Sequence, residues 1–399
     1  NTSSVTISKI AALSITASAK SANYGDSISS LYGTSTGYAT TGLGSGVINA
    51  LTYTYAGSGS TVYASSTTAP SAPGTYTVTP SAVGFSTGST NNYTTITYNS
   101  GTLTIASSTL TVTATLSASS INYGGTTPTN SYSTTGLGSG VISSVTYTYQ
   151  GTGSTIYGPS TTAPTSAGTY SVTPGSLVFS SGSITSYSSV SYVSASYTIN
   201  KATLTVTATT GSATYGDTSP TFNNTVTGFV TINGTTESAA TAAGYVAPTC
   251  SSSNYSATTN AATSGITFTC SGGSANNYTF SHTGTGSITI SKASLLVTPD
   301  AKSVTYGDAA PTYTFIISGY KNSQNSSAIT TLPTCTSTYS TTTNVSSSPV
   351  SITCSGGLAT NYSFSFNTSS VTISKIVALS ITASAKSANY GDSISSLYG

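Results

Sequence analysis

The chain has 399 residues, of which only 4% are charged: eight Lys, no Arg, five Asp and one Glu, for a net charge of +2. A soluble domain carries about 25% charged residues, and binding to nucleic acid or to an anionic membrane needs a basic field that is missing here, so neither partner is expected. No stretch of roughly 18 apolar residues occurs, so no membrane-spanning segment is expected. Signal-peptide and sorting-tail patterns are also missing, and the chain reads as a window on a longer exported array.

In chain order, residues 1–10 read as the closing strand of a preceding repeat, and repeat 1 covers 11–107. It carries Tyr24-Gly25-Asp26 and closes on the alternating pair Leu103 and Ile105. Repeat 2, 108–200, opens with Leu110, Val112, Ala114 and Leu116 alternating with Thr111, Thr113 and Thr115. It continues through Tyr123-Gly124-Gly125 and closes on Tyr197 and Ile199. Repeat 3, 201–291, opens with Leu204, Val206 and Ala208, carries Tyr215-Gly216-Asp217, and closes on Ile288 and Ile290. Repeat 4, 292–375, carries Tyr306-Gly307-Asp308 and closes on Val371 and Ile373. Residues 376–399 start repeat 1 again, with Tyr390-Gly391-Asp392. Period-two alternation of apolar residues with β-branched Thr is the mark of half-buried strands, and no segment shows a helical period, so the fold class is all-β.

The repetition extends beyond the four copies. Successive motif tyrosines lie 99, 92, 91 and 84 residues apart, and residues 367–399 repeat 1–33 with one difference, Ala11 against Val377. Four unequal repeats therefore form one unit of 366 residues, which itself recurs. Junctions such as Ser8-Lys9-Ile10-Ala11, Asn200-Lys201-Ala202 and Ser291-Lys292-Ala293 contain no Gly/Ser or Pro linker, so neighbouring repeats are expected to stack end to end. At about 3.3 Å per residue, strands of 10 to 12 residues would give each repeat about 35 to 40 Å and the unit roughly 140 to 160 Å. Lys9, Lys201, Lys292 and Lys375 stand at these seams, where the stem can cover apolar surface and the ammonium stay in water.

The Tyr-Gly-Asp motif reads as a structural corner. Gly allows a backbone that other residues resist, Asp accepts an amide hydrogen bond, expected from two residues on, and Tyr buries its ring. Four cysteines fall at matching places: Cys250 and Cys270 in repeat 3, Cys335 and Cys354 in repeat 4, with separations of 20 and 19. One pair per repeat predicts two internal disulfides and an oxidising compartment. Repeats 1 and 2 place Pro80 and Pro174 where the second cysteine would fall.

The inventory for chemistry is thin. One histidine, His282, one Glu, Glu237, and five Asp, four of them in the turn motif, leave no acid–base pair to assign, so no catalytic residue, metal or cofactor is expected. Calcium would need several oxygen ligands close together, and zinc would need closely spaced Cys and His. A Lys–Asn isopeptide crosslink would need a buried acid beside the pair, and acids are scarce. Sequons at Asn92, Asn233, Asn254, Asn277 and Asn361 offer places for N-linked sugar.

The combination of an LTVTA-like opening strand, Tyr-Gly-Asp, a Gly-Phe or Gly-Tyr turn (Gly228-Phe229, Gly319-Tyr320), an Asn-Tyr segment (Asn92-Tyr93, Asn277-Tyr278, Asn361-Tyr362) and a closing Ile-x-Lys strand resembles MBG domains of the YGX type. These are repeat modules of bacterial cell-surface and adhesin-like proteins. Repeats 3 and 4 match best; repeats 1 and 2 are longer, insert Gly42-Leu43-Gly44-Ser45-Gly46 and Gly136-Leu137-Gly138-Ser139-Gly140, and repeat 2 has Gly125 in place of Asp. The resemblance implies a tandem array of small immunoglobulin-like or β-grasp-like domains used for spacing or display. Two readings remain open. One is a structural extracellular filament or adhesin stalk whose partners are neighbouring copies of the repeat. The other is a set of repeats that bind glycans or host surface proteins through solvent-facing Tyr.

Overall fold

A computed structural model describes residues 3–396; residues 1–2 and 397–399, the outer ends of the two terminal repeats, lie outside them. The ranges 11–107, 108–200, 201–291 and 292–375 are called segments 1 to 4. In each, the apolar set of the opening strand is buried: Leu13, Ile15 and Ala17; Leu110, Val112 and Ala114; Leu204, Val206 and Ala208; Leu295 and Val297. The intervening Thr and Ser face outward or lie half-buried, as period-two alternation requires. Among the described residues, strands dominate, and the helical elements are 3₁₀ turns of three residues.

The chain folds into two compact units. The first holds the residues up to Ala202 together with Phe229–Gly244 and Ala275–Thr279; the second holds Thr203–Gly228, Tyr245–Ser274 and the residues from Phe280 on. Two loops of segment 3 thus group with segments 1 and 2.

In the first unit, segment 1 makes two sheets. Leu13–Ala17 is central in a three-stranded sheet, antiparallel to Tyr38–Thr41 and parallel to Ile96–Asn99. The second sheet runs in the order Lys20–Asn23, Gly101–Ala106, Gly74–Thr87, Val47–Ser58, with the first pair parallel. Segment 2 repeats the arrangement. Ser108–Leu116 lies between Asn130–Thr135 and Tyr187–Val193, and the second sheet is Val141–Gly151, Gly168–Ser181, Ala195–Asn200, Ser120–Asn122. The opening strand therefore runs parallel to a strand near the segment's end, and the strand after it runs parallel to the closing strand. Both crossovers pin the two ends of a segment to each other.

In the second unit, segment 4 has the same pair of sheets. One is Phe315–Ser318, Ala293–Pro299, Tyr362–Phe366, and the other is Lys302–Thr305, Ser369–Ser374, Val350–Ser355, Thr334–Ser337. Segment 3 differs in one respect: Ala202–Thr214 runs unbroken where the other segments have two strands, and the sheets merge into one. Pro299 and Asp300 end the corresponding strand in segment 4, whereas segment 3 has Ala208-Thr209 at that place and continues with a register shift before Gly211.

The cores are small and unlike one another. Segment 1 packs Tyr32, Tyr53, Tyr55 and Tyr76 with Val78, Leu103 and Ile105. Segment 3 uses Val206, Phe268, Ile288 and Ile290 around Cys270. Segment 4 uses Ile352, Val371, Ile373 and Tyr339 beside Cys335. Each buried Tyr carries a hydroxyl that needs a partner; Tyr76 donates to the Ala72 carbonyl (2.6 Å) and Tyr32 to the Ser18 carbonyl (2.9 Å).

Candidate functional site

The Tyr-Gly-Asp motif is a type II β-turn. The Asp26 N–H donates to the Asn23 carbonyl (3.0 Å), and Gly25 at the third position has φ +97°, a value that glycine tolerates and that this turn demands. Asp217 and Asp308 close the same turn on Thr214 and Thr305, and Asp392 on Asn389. The carboxylate reaches back rather than forward: Asp26, Asp217, Asp308 and Asp392 accept from the N–H of Asn23, Thr214, Thr305 and Asn389 at 2.7 to 2.8 Å, three residues upstream and not two residues on. In segment 2 the turn closes through the Gly125 N–H (2.8 Å to the Asn122 carbonyl) without a carboxylate.

What the turn positions is the tyrosine. The N–H groups of Tyr24, Tyr123, Tyr215 and Tyr306 donate to the last residue of the closing strand or its neighbour, namely Ala106, Asn200, Ser291 and Ser374 (2.8 to 2.9 Å). That bond fixes the ring at the end where the chain leaves one segment for the next. Tyr24 then packs edge-on against Tyr187 of segment 2, with ring centroids 5.4 Å apart and planes at 86°. Tyr123 packs against Tyr278 of segment 3 at 5.4 Å and 78°, both in the first unit. Tyr215 packs against Tyr362 of segment 4 at 5.5 Å and 80°, both in the second unit. Three joints share one geometry, the T-shaped arrangement that ring quadrupoles favour.

The receiving tyrosine is the one in the Asn-Tyr segment, or in Ser186-Tyr187 of segment 2, and its hydroxyl is tied to the loop after the strand that runs antiparallel to the opening strand. Tyr187 donates to the Leu137 carbonyl (2.8 Å); the Val230 and Lys321 N–H groups donate to the hydroxyls of Tyr278 and Tyr362 (3.0 Å each). The same loop meets the motif glycine of the preceding segment. A Cβ built on Gly25 would stand 2.4 Å from the Gly138 Cα, and one on Gly124 or Gly216 would strike the Val230 or Lys321 side chain. The motif glycine is therefore required twice, for the turn and for the approach of the next segment.

A polar clasp accompanies the rings. In the first unit the Ala167 N–H donates to Asn277 Oδ1 (2.9 Å). In the second unit the Ala261 N–H donates to Asn361 Oδ1 (2.9 Å), and Asn361 Nδ2 donates to Asn260 Oδ1 (2.9 Å). Segment 1 has Pro73, with no N–H, three places before Tyr76 as Ala167 is before Tyr170, and segment 2 answers with the buried Ser186 in place of Asn. The sequons at Asn277 and Asn361 thus carry side chains already engaged in joints. Lys201 and Lys292 are exposed but not idle: each Nζ donates to a carbonyl of the loop before the Asn-Tyr segment, Ala275 (3.3 Å) and Ala359 (2.7 Å).

The Tyr123–Tyr278 joint also contains the chain's one glutamate. Glu237 accepts hydrogen bonds from both hydroxyls, at 3.1 Å from Tyr123 and at short range from Tyr278. Burial, and next the bond to Glu237, push the Tyr278 hydroxyl up to about 12. Burial also raises Tyr123, with Asn277 opposing and Glu237 adding to the rise. Tyr187 is pushed up to about 12 by burial and by Tyr24. All three are held neutral at physiological pH and serve as hydrogen-bond donors.

The predicted pairs Cys250–Cys270 and Cys335–Cys354 are disulfides, and each joins directly opposed residues of an antiparallel strand pair. In segments 1 and 2 the same register places are filled by Tyr53 opposite Pro80 and Tyr147 opposite Pro174. His282 is exposed, with Nε2 2.9 Å from the Gly272 carbonyl. Among the described residues, no group of three or more His, Cys, Asp or Glu side chains comes together, and no helix is long and apolar enough to cross a membrane.

Sequence reasoning singled out both tyrosines of the second and third joints and Tyr24 of the first, but not Tyr187, which follows Ser186 instead of Asn, nor the meeting of any pair. The partner lies more than one repeat away along the chain, and no local pattern announces it. The sign available was the pairing of two aromatic motifs in every repeat, one at each end. No curated protein matches the sequence. Residues 295–372, from the opening strand of segment 4 through Tyr306-Gly307-Asp308 to its closing strand, match the family model of the MBG domain, YGX type.

Proposed function

We propose that the chain is a non-catalytic part of an extracellular bacterial surface filament or adhesin stalk, in which tandem β segments set length and the tyrosine joints set stiffness. The observation that carries this reading is the recurrence of one edge-on tyrosine contact at three successive junctions. A flexible tether would need no such contact. The MBG-type match in segment 4 supports a cell-surface repeat protein, and the two disulfides support an oxidising compartment.

The rival reading, glycan or host-protein binding by the repeats, calls for a solvent-facing cluster of Tyr. Among the described residues the exposed tyrosines are Tyr132, Tyr192, Tyr306 and Tyr390. Tyr132 and Tyr192 pair in register with the buried Ala114 and Val112, so they lie on the core side of their sheet and form no outward platform. The test is to label intact cells with an antibody against the chain and to image released filaments by electron microscopy. Surface label with an axial period equal to one four-segment unit is expected. Label confined to the cell interior, with free thiols at the four cysteines, would overturn the proposal.

A further inference from the structure

Segment 4 presents the donating half of a joint, and among the described residues that half is open. Tyr306 is 38% exposed, whereas Tyr24, Tyr123 and Tyr215 are 6%, 7% and 3% exposed. A Cβ on Gly307 would meet nothing within 4 Å, in contrast to Gly25, Gly124 and Gly216. The turn itself is the same, with Tyr306 tied to Ser374 and Asp308 closed on Thr305. Asn344-Val345 stands ahead of the strand Val350–Ser355 as Asn260-Ala261 stands ahead of Thr267–Ser271, so the polar half of the clasp is repeated as well.

Segment 1 presents the receiving half. Its loop Gly42-Leu43-Gly44-Ser45-Gly46 is identical to the 136–140 loop that receives Tyr24. Tyr93 donates to the Leu43 carbonyl (2.7 Å) and stacks on Phe85 at 5.7 Å, as Tyr187 donates to Leu137 and stacks on Phe179 at 5.8 Å. One residue is different. At the place of Ala202 and Ala293, whose N–H groups bond the carbonyls of Asn277 and Asn361, the residue just ahead of segment 1 is Ile10, whose N–H bonds the Asn92 carbonyl (2.8 Å). Its side chain packs with Tyr93 and reaches Gly44. The copy of Ile10 that follows segment 4 is Ile376, and it lines a hollow with Tyr306, Asn344, Val345 and Lys375.

We propose that segment 4 makes a fourth joint onto a second copy of segment 1, the segment that residues 376–399 begin. Ile376 is its wedge, with one face against Tyr306 and the other against the counterpart of Tyr93, and the counterpart of Asn92 takes the place that Asn277 and Asn361 hold elsewhere. The partner is thus another unit of the same array, and the seam between units is more apolar than the three within a unit. The inference rests on the joint reading alone; its failure would leave the three joints and the surface location standing.

Nitration of tyrosine tests it. In the 399-residue chain Tyr306 should react while Tyr24, Tyr123 and Tyr215 do not. Two extended chains complete the picture, one in which a copy of residues 34–106 continues from Gly399 and one in which a copy of 34–200 does. Loss of nitration at Tyr306 in either is expected, and Ile376→Ser should restore it while the buried counterpart of Tyr76 stays unreactive. Tyr306 still reactive in both extended chains overturns the proposal. So does concentration-dependent protection of Tyr306 in the unextended chain, which would mean that the free end meets its own kind.

Discussion

Segments 1 and 4 build the same pair of sheets with different means of holding them. Segment 4 has short strands at the outer edge, Thr334–Ser337 and Val350–Ser355, and a disulfide between them. Segment 1 has a hairpin of 12 and 14 residues, Val47–Ser58 and Gly74–Thr87, with Tyr53 opposite Pro80 at the staple position and packed in one core with Tyr32, Tyr55 and Tyr76. Length and aromatic area in one segment stand where a covalent link stands in the other. Their joints differ as well: Gly138 receives the motif glycine of segment 1, while Val230 and Lys321 receive those of segments 2 and 3. The tyrosine-on-tyrosine contact survives both exchanges. A module's own stability and its coupling to the next module are thus separately built, and only the coupling is held constant.

The comparison can be broken from either side. Tyr76→Ala removes a ring that is 1% exposed and touches Tyr63 edge-on. Truncation of a buried aromatic costs about 3 to 5 kcal/mol, so segment 1 should lose most of its protection in hydrogen exchange while segment 4 keeps its own. Reduction of the disulfides should do the converse. Closing loops of this size contributes about 3 kcal/mol each, so segments 3 and 4 should melt earlier in reductant, and segments 1 and 2 should melt unchanged. Equal shifts in all four would show that the segments do not store stability independently.

Alkaline titration sharpens the part about joints. Tyr187 and Tyr278 are raised from 10.0 to about 12, so the folded state holds their protons more tightly than the unfolded chain. Their contribution is therefore complete below pH 10 and is lost as pH rises through 12. Exchange of the Ala167 amide, which bonds Asn277 across the Tyr123–Tyr278 joint, should accelerate over that window together with tyrosinate absorbance. The smallest effect is expected at the turn. Asp26→Ala removes one carboxylate-to-amide bond, worth about 1 kcal/mol, and leaves segment 1 with the turn that segment 2 already makes without a carboxylate.

Much of this was legible in the residues. Leu110, Val112 and Ala114 alternating with Thr announced their strand and its buried face, since that pattern depends only on neighbours two apart. The cysteine pairs were legible because two repeats show them at matching places. The joint was not, because Tyr24 meets Tyr187 through a turn, a closing strand and a loop of another segment, and each step is set by long-range register. Reading Tyr-Gly-Asp as a corner found the turn but missed what it aims. The lysines show the same limit: Lys201 and Lys292 stand at the seams as expected, yet their ammonium groups bind loop carbonyls, a contact fixed by a distant Asn-Tyr segment.

The most direct test of the coupling compares electron micrographs of filaments of the unaltered sequence with filaments carrying Tyr24→Ala, Tyr123→Ala and Tyr215→Ala together. The joints predict nearly straight filaments with a regular axial period for the first. For the second they predict chains bent irregularly at the seams, with every segment still folded by its unchanged exchange protection and, in segments 3 and 4, by the intact disulfides. Unaltered filaments kinked at random, or variants as straight and as periodic as the parent, would contradict the account.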